Sequence, residues 1–234
     1  MKDFLFPVLR VDNIDTYVIR KGIFGFIRNN LHLLNGNLLD VGCGKMPYRE
    51  FILKNSHVHN YIGLDIDDAL VYDKNVKPDF FWDGKVMPFA NDTFDTAIAT
   101  EVLEHIFEPS VFLRETYRVL KKDGVFFFTV PFIWNLHETP NDYYRYTPYA
   151  LEKYLENTGF KTIDLKPMGG WHASMAQMLG LWLRRAPMRY WQRDLLSKSL
   201  KPLISFLIKK DNKIPFAFKE KQMITGIGGI AIKR

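Results

Sequence analysis

The sequence predicts an α/β fold, a mostly parallel sheet with helices on both of its faces. Three observations carry this. Short, nearly all-apolar runs recur through the first 170 residues, as in LLDV, YIGL, TAIA and GVFFFTV. A strand buried on both faces reads that way because neither side meets water. Amphipathic helical stretches alternate with those runs, the order that parallel crossovers require. Several runs end in an acid, as in LLDVGCG, YIGLD and DFFWD, and ligands of open α/β sheets lie beyond such strand ends.

Element by element, residues 14–34 place apolar side chains at helical intervals with Arg20, Lys21, Arg28 and Asn29 between them. This predicts a helix interrupted or kinked near Gly22 and Gly25. Asn35-Gly36 marks a turn, and 38–41 reads as a short buried strand. Pro47 suits the first turn of a helix over 47–54, where a missing N–H costs little. Strands follow at 61–65, 79–83 and 94–100, then an amphipathic helix at 109–122. Lys121 and Lys122 suit its negative end and Gly124 its stop. A fully apolar strand spans 124–131, and Thr147-Pro148 opens a helix over 147–158. Residues 160–168 and 223–234 read as the last two strands. Between them, 171–222 is aromatic, Met-containing and basic, and reads as a helical insert.

The chain divides into an N-terminal helical segment (1–37), a core (38–170), the insert (171–222) and a final strand of the core sheet (223–234). With 234 residues, 47% apolar and 25% charged, it is long enough for one sizeable α/β domain and too apolar for disorder. The single cysteine, Cys43, excludes an intramolecular disulfide and a cysteine-rich zinc site. It fits a reducing cytoplasm, and inside a glycine turn it reads as a small residue filling a tight space. The opening MKDFLFPVLRVD breaks its apolar stretch at Pro7, Arg10 and Asp12, so no secretory signal is expected. The longest apolar stretches stop at Arg184, Arg185 and Lys209, short of a membrane span. Residues 1–170 carry a net −4 and residues 171–234 a net +10. A basic section on a mildly acidic body suits an anionic partner such as a membrane surface, or is a solvated face.

The stretch LLDVGCGKMPY places Gly42 and Gly44 as a G-x-G turn after a strand. A dinucleotide loop would put a glycine at position 47, where this chain has Pro47. Acids stand at four strand ends, Asp40, Asp65, Asp83 and Glu101. A pyrophosphate is poorly served by that much negative charge. S-adenosylmethionine, with a positive sulfonium, a positive amine, two ribose hydroxyls and no phosphate, fits better. Gly42 and Gly44 would let backbone approach it. Asp65, 21 residues after Gly44, could accept from the ribose hydroxyls, and Asp83 could take the adenine amine.

The stretches LLDVGCG, YIGLDID, FWDGKVMPFANDTFDTAIATEVLEH and ETYRVLKKDGVFFFTVP, in this order and at these separations, resemble the class I S-adenosylmethionine-dependent methyltransferases. The resemblance covers most of residues 14–170 and the terminal strand. It implies a Rossmann-like, seven-stranded, mostly parallel sheet with an antiparallel last strand and a helical insert before it. It implies cofactor contacts at Asp40, Gly42, Cys43, Gly44, Asp65, Ile66, Asp83, Gly84 and Glu101. The position of Met46 is usually glycine in this family. The loop GCGKMPY and residues 137–160 are similar to bacterial methyltransferases of polysaccharide and lipid-linked sugar biosynthesis.

Methyl transfer to a hydroxyl is helped by a general base. His137, in the loop after the fifth strand, is the first candidate, and His105 in EVLEHI the second; either could be a hydrogen-bonded structural histidine. Tyr143, Tyr144, Arg145 and Tyr146 suit a sugar or phosphate, with Arg145 as a structural ion-pair partner the other reading. On a helix, Glu101, Glu104 and His105 would share a face and could hold a divalent ion. Acids also favour a helix start without an ion, and no metal is assigned.

The expected acceptor is a hydroxyl of a sugar or lipid-linked glycan. A quinone or other lipid, RNA, and a catalytically silent cofactor-binding role are the alternatives. Against RNA, Glu101-Val-Leu-Glu stands where an Asn-Pro-Pro-aromatic motif would serve base amines. The insert at 171–222, with Trp171, Trp182 and Trp191, reads as a lid, a contact with the inner membrane face, or a homodimer contact.

Overall fold

The computed structural model describes residues 4–66, 76–211 and 217–234. Residues 1–3 of the N-terminal segment, 67–75 of the core, with Asp67 of YIGLDID, and 212–216 of the insert lie outside this range. Seven strands form one sheet in the order β3-β2-β1-β4-β5-β7-β6. They are β1 (Asn35–Val41), β2 (His57–Ile66), β3 (Phe80–Trp82), β4 (Phe94–Thr100), β5 (Leu120–Pro131), β6 (Phe160–Met168) and β7 (Gly226–Lys233). Strands β1 to β5 pair in parallel, and β7 runs antiparallel to both β5 and β6. The mostly parallel sheet and antiparallel last strand are therefore as expected.

The period-2 alternation of the strands splits the core in two. Phe126 and Phe128 of β5 join Leu39, Val41 and Leu64 on one face, under helices α3 (Pro109–Val119) and α4 (Pro148–Asn157). Phe127 joins Leu38, Ile98 and Ile230 on the other, under α1 (Tyr17–Asn29) and α2 (Arg49–Asn55). A Cβ at Gly228 of β7 would stand 2.6 Å from the Phe26 ring, and one at Gly229 would run into Phe128. Glycines in β7 thus admit an aromatic ring on each face.

Three local expectations are corrected. Helix α1 runs unbroken through Gly22 and Gly25. A Cβ at Gly22 would lie 3.4 Å from Met168, so this glycine marks the approach of helix to sheet. Lys121 and Lys122 belong to β5, and the helix before it ends at Val119. Lys121 Nζ bonds Asp95 Oδ1 at 2.8 Å, an anchor on β4. Finally, EVLEH is no α-helix. Glu101 has φ +56 and Leu103–His105 is a single 3-10 turn. A left-handed residue at the strand exit prevents the helix from starting there.

Helices α5 (Trp171–Arg185) and α6 (Tyr190–Lys210) form the insert. Their inner sides, with Ala173, Ala176, Leu183, Ile204 and Ile208, close a separate small core on Ile14 and Val18. Buried Asp15 fixes the junction: its carboxylate pairs with Arg185 at 2.8 Å and its carbonyl accepts from Gln177 Nε2 at 2.7 Å. Trp171, Met175, Met178 and Trp182 face outward from α5, as do Trp191, Leu195 and Phe206 from α6. No helix among the described residues is long and apolar enough to cross a membrane.

Candidate active site

The chain leaves β1 and enters β2 on one side, then returns to β4 on the other. Crevices form where an α/β sheet reverses in this way, and the main cavity opens there. One wall is the G-x-G turn. Gly42 has φ +70, and a Cβ there would stand 2.6 Å from Val102 Cγ2, so glycine is required twice over. Gly44 donates its N–H to Asp65 Oδ2 at 2.9 Å, and Ile66 N–H reaches Asp65 Oδ1 at 2.9 Å. The carboxylate is pinned by backbone while each oxygen keeps accepting capacity. Burial raises its pKa and those two N–H groups oppose the rise.

The left-handed conformation persists two residues on, at Met46 with φ +47. Here the loop keeps the backbone of a third glycine without the glycine. The compensation is at Gly63 of β2, where a Cβ would stand 2.6 Å from Met46 Sδ and 2.9 Å from Cys43 Sγ. Both sulfur side chains fill the space that a residue with a Cβ would occupy at position 63.

Gly42, Gly44, Asp65, Ile66, Gly84 and Glu101 all line the cavity, as does Asp83, whose Oδ1 accepts from Lys85 and Val86 N–H at 2.8 and 2.9 Å. Asp40 and Cys43 stand behind that wall. Asp40 is buried and accepts from Tyr61 Oη at 2.6 Å; burial pushes its carboxyl up to about 7. It supports the turn from below. Burial raises the Cys43 thiol well above its ordinary range, so it is an inert filler. Glu101 takes the Thr129 hydroxyl at 2.8 Å, and burial lifts its carboxyl to about 7.

His105, Glu138, Asn141 and Tyr143 line the same cavity, and the Glu138 carboxylate adds to the rise of the Asp65 pKa. His105 Nδ1 lies 2.6 Å from the Asn141 carbonyl oxygen. His137 stands behind His105, their ring centroids 4.6 Å apart, with its Nδ1 3.2 Å from Asp142 Oδ2. The histidine in direct reach of the cavity is thus His105, the second candidate. Burial lowers the pKa of His137, and the neighbouring His105 adds to this.

Arg145 is a structural ion-pair partner. Its two terminal nitrogens clasp Asp142 at 2.6 and 2.9 Å and also serve the carbonyls of Tyr144 and Asn135. That fork holds the Asp142 carboxyl well below the usual range. Tyr144 donates to the Phe107 carbonyl and buried Tyr146 to the Leu103 carbonyl. Of the four residues expected to meet a sugar, Tyr143 lines the cavity. Val102 and Glu138 are wall residues that sequence patterning did not single out. Neither carries a local signal, since Val102 matters through its contact with Gly42 across the turn.

A family model described as a methyltransferase domain matches residues 39–128. An uncharacterized protein of Methanocaldococcus jannaschii is 35% identical over 103 residues, 42% of this chain and 38% of that protein, so the match spans well under half of the relative. Among solved structures, the [4+2]-cyclase SpnF superposes with a TM-score of 0.58 at 18% identity, covering 92% of this chain and 82% of that one. An S-adenosylmethionine-dependent methyltransferase from Mesorhizobium loti gives 0.55 at 12%, covering 91% and 98%. Phosphoethanolamine N-methyltransferase 2 of Haemonchus contortus, solved with phosphomonomethylethanolamine and S-adenosylhomocysteine, gives 0.56 at 18%, covering 91% and 52%. At these identities the structures speak for the fold.

Residues 39–128 match a methyltransferase domain, and the fold is the one seen in S-adenosylmethionine-dependent methyltransferases such as that from Mesorhizobium loti. The cavity fits that cofactor: glycine backbone at the turn, a pinned carboxylate for a ribose diol, and acids Asp83, Glu101 and Glu138 that suit a cation.

Proposed function

We propose that this chain transfers a methyl group from S-adenosylmethionine to a hydroxyl of a sugar or lipid-linked glycan. The observation that carries the reading is that a single cavity is lined both by Gly42, Gly44 and Asp65 and by His105 and Tyr143. Bound there, the cofactor supplies an activated methyl group. The protein holds the ribose through Asp65, offers negative charge to the sulfonium and excludes water behind Val102 and Gly42. A hydroxyl acceptor must give up its proton, and His105 on the cavity wall, with His137 behind it, marks the side where that proton leaves.

The sugar assignment is supported by the similarity of residues 137–160 to enzymes of polysaccharide biosynthesis and by the Tyr143 ring on the wall, a face for a pyranose. Arg145 is committed to Asp142, so a phosphate grip is left out of the reading. The outward stripe of Trp171, Met175, Met178 and Trp182 follows helical spacing on α5, in a section of net +10. It supports an acceptor met at an anionic membrane surface.

The test is transfer of labelled methyl from the cofactor into cell fractions. Label in the glycan or lipid-linked glycan fraction is the expected result. Label in quinones or RNA would replace the acceptor, and cofactor binding without label in any fraction would indicate a silent binding protein. Flotation with anionic liposomes at low salt tests the surface contact; full recovery in the soluble fraction refutes it.

A further inference from the structure

Glu104 occupies an unusual position. Its side chain is 0% exposed, and neither carboxylate oxygen has a hydrogen-bond partner among the described residues. Leaving a buried carboxylate so is costly, and the surroundings suggest what satisfies it. His105 Nε2 lies 3.8 Å from Glu104 Oε1. One ligand atom each from Glu104, His105 and His137 fall within 4.8 Å of one another.

The tautomers of both histidines are set from outside this group. His105 Nδ1 faces the Asn141 carbonyl, which can only accept, so Nδ1 carries the proton and Nε2 the lone pair. His137 Nδ1 faces Asp142, a carboxylate that Arg145 and the His137 N–H keep in place, so its lone pair is on Nε2 as well. A carbonyl or carboxylate holding the far nitrogen of a ring is the usual support of a metal-binding histidine.

We propose that Glu104, His105 and His137 bind one divalent transition-metal ion where His105 meets the cavity. The inference rests on the methyltransferase reading of that cavity. Ligand atoms about 2.0 to 2.2 Å from an ion stand roughly 3 to 4 Å apart, so from within 4.8 Å of one another the side-chain ends close by up to about 1 to 2 Å on binding. Two imidazoles and one carboxylate suit zinc, manganese or iron(II) better than magnesium or calcium. Three protein ligands leave positions open to the cavity, where His105 forms the wall and Glu138 Oε2 lies 3.7 Å from its Nε2. An acceptor hydroxyl taking such a position would have its pKa lowered. Its proton leaves to solvent, its oxygen bonds the methyl carbon, and the carbon–sulfur bond breaks with the electron pair returning to sulfur. Glu101, a helix-face partner in the sequence reading, is outside this group; its Oε1 accepts from Thr129.

The experiment is calorimetric titration of chelator-stripped full-length protein with Zn²⁺ or Mn²⁺, with S-adenosylhomocysteine titrated separately. One ion per chain is expected, with at least a 100-fold loss of affinity in His105→Ala and in His137→Ala. Glu104→Gln, a neutral isostere, should fold with an unchanged or higher Tm and lose the same affinity. Asp65→Ala should keep the ion and lose S-adenosylhomocysteine. Absence of stoichiometric ion binding by the wild type, or binding indifferent to both histidine variants, overturns the site. Failure to bind S-adenosylhomocysteine while the ion binds overturns the methyltransferase reading instead.

Discussion

Replacing Asp65 with alanine removes the acceptor that Gly44 and Ile66 N–H share, each at 2.9 Å. It also removes the acceptor proposed for the ribose diol. Hydrogen bonds to a charged group contribute about 1.5–3 kcal/mol each. The cavity is open to water, which refills part of the loss, so two lost ribose bonds amount to roughly 2–4 kcal/mol. That corresponds to a dissociation constant about 30- to 1000-fold weaker. S-adenosylhomocysteine is the better calorimetric ligand because it cannot react. Asp83→Ala is the internal control, since its carboxylate is exposed and bound to its own turn; it should weaken binding by less than about tenfold. A folded Asp65→Ala protein that binds within threefold of wild type would refute the placement of the ribose, and with it the role given to the end of β2.

Three further outcomes follow from the same geometry. Met46→Gly relieves one left-handed side chain but empties the space over Gly63, and should cost about 1–2 kcal/mol; Gly63→Ala alone should cost about 1–3 by overpacking. The double variant should be less destabilised than the sum in a denaturant double-mutant cycle, and strict additivity would refute the pairing. Asp40, held near 7 in the fold, binds its proton more tightly folded than unfolded, so its contribution is full below about pH 4 and is lost as pH rises through about 7, some 4 kcal/mol in all. Asp40→Asn keeps an acceptor for Tyr61 and should raise Tm at pH 8 and flatten its decline between pH 5 and 8; an unchanged slope counts against it. Arg145→Ala leaves buried Asp142 without its fork and should destabilise by about 3 kcal/mol in denaturant melts, while S-adenosylhomocysteine affinity stays within threefold.

Where the local sequence decides the structure, it was readable. Strand β4 runs from Phe94 to Thr100 and β6 from Phe160 to Met168, as their apolar patterns indicate, and Thr147 caps α4 by accepting from Ala150 N–H. The G-x-G turn and Asp65 could be paired because a fixed chemistry demands both. Decisions made across space were hidden. Lys121 looks like the end of a helix until Asp95, on another strand, takes its ammonium. Arg145 offers the same fork to a phosphate as to Asp142, and nothing in YYRY says which will be present. Glu104 reads as one more acid on a helix because depth has no signature in a single chain, and the left-handed backbone at Glu101 dissolves that helix.

The place of β7 has a consequence for assembly during synthesis. Strand β6 touches the sheet only through β7, which follows it in the chain after two helices. When β6 leaves the ribosome it has no neighbour to pair with, and β5 presents an open edge from Val125 to Val130, apolar except at Thr129. The strands from β1 to β5, which hold the glycine turn and Asp65, can pair in order as they emerge. The nascent chain thus passes through a stage with a five-stranded cofactor half and an unprotected edge. At that stage it is most prone to aggregate and most in need of a chaperone.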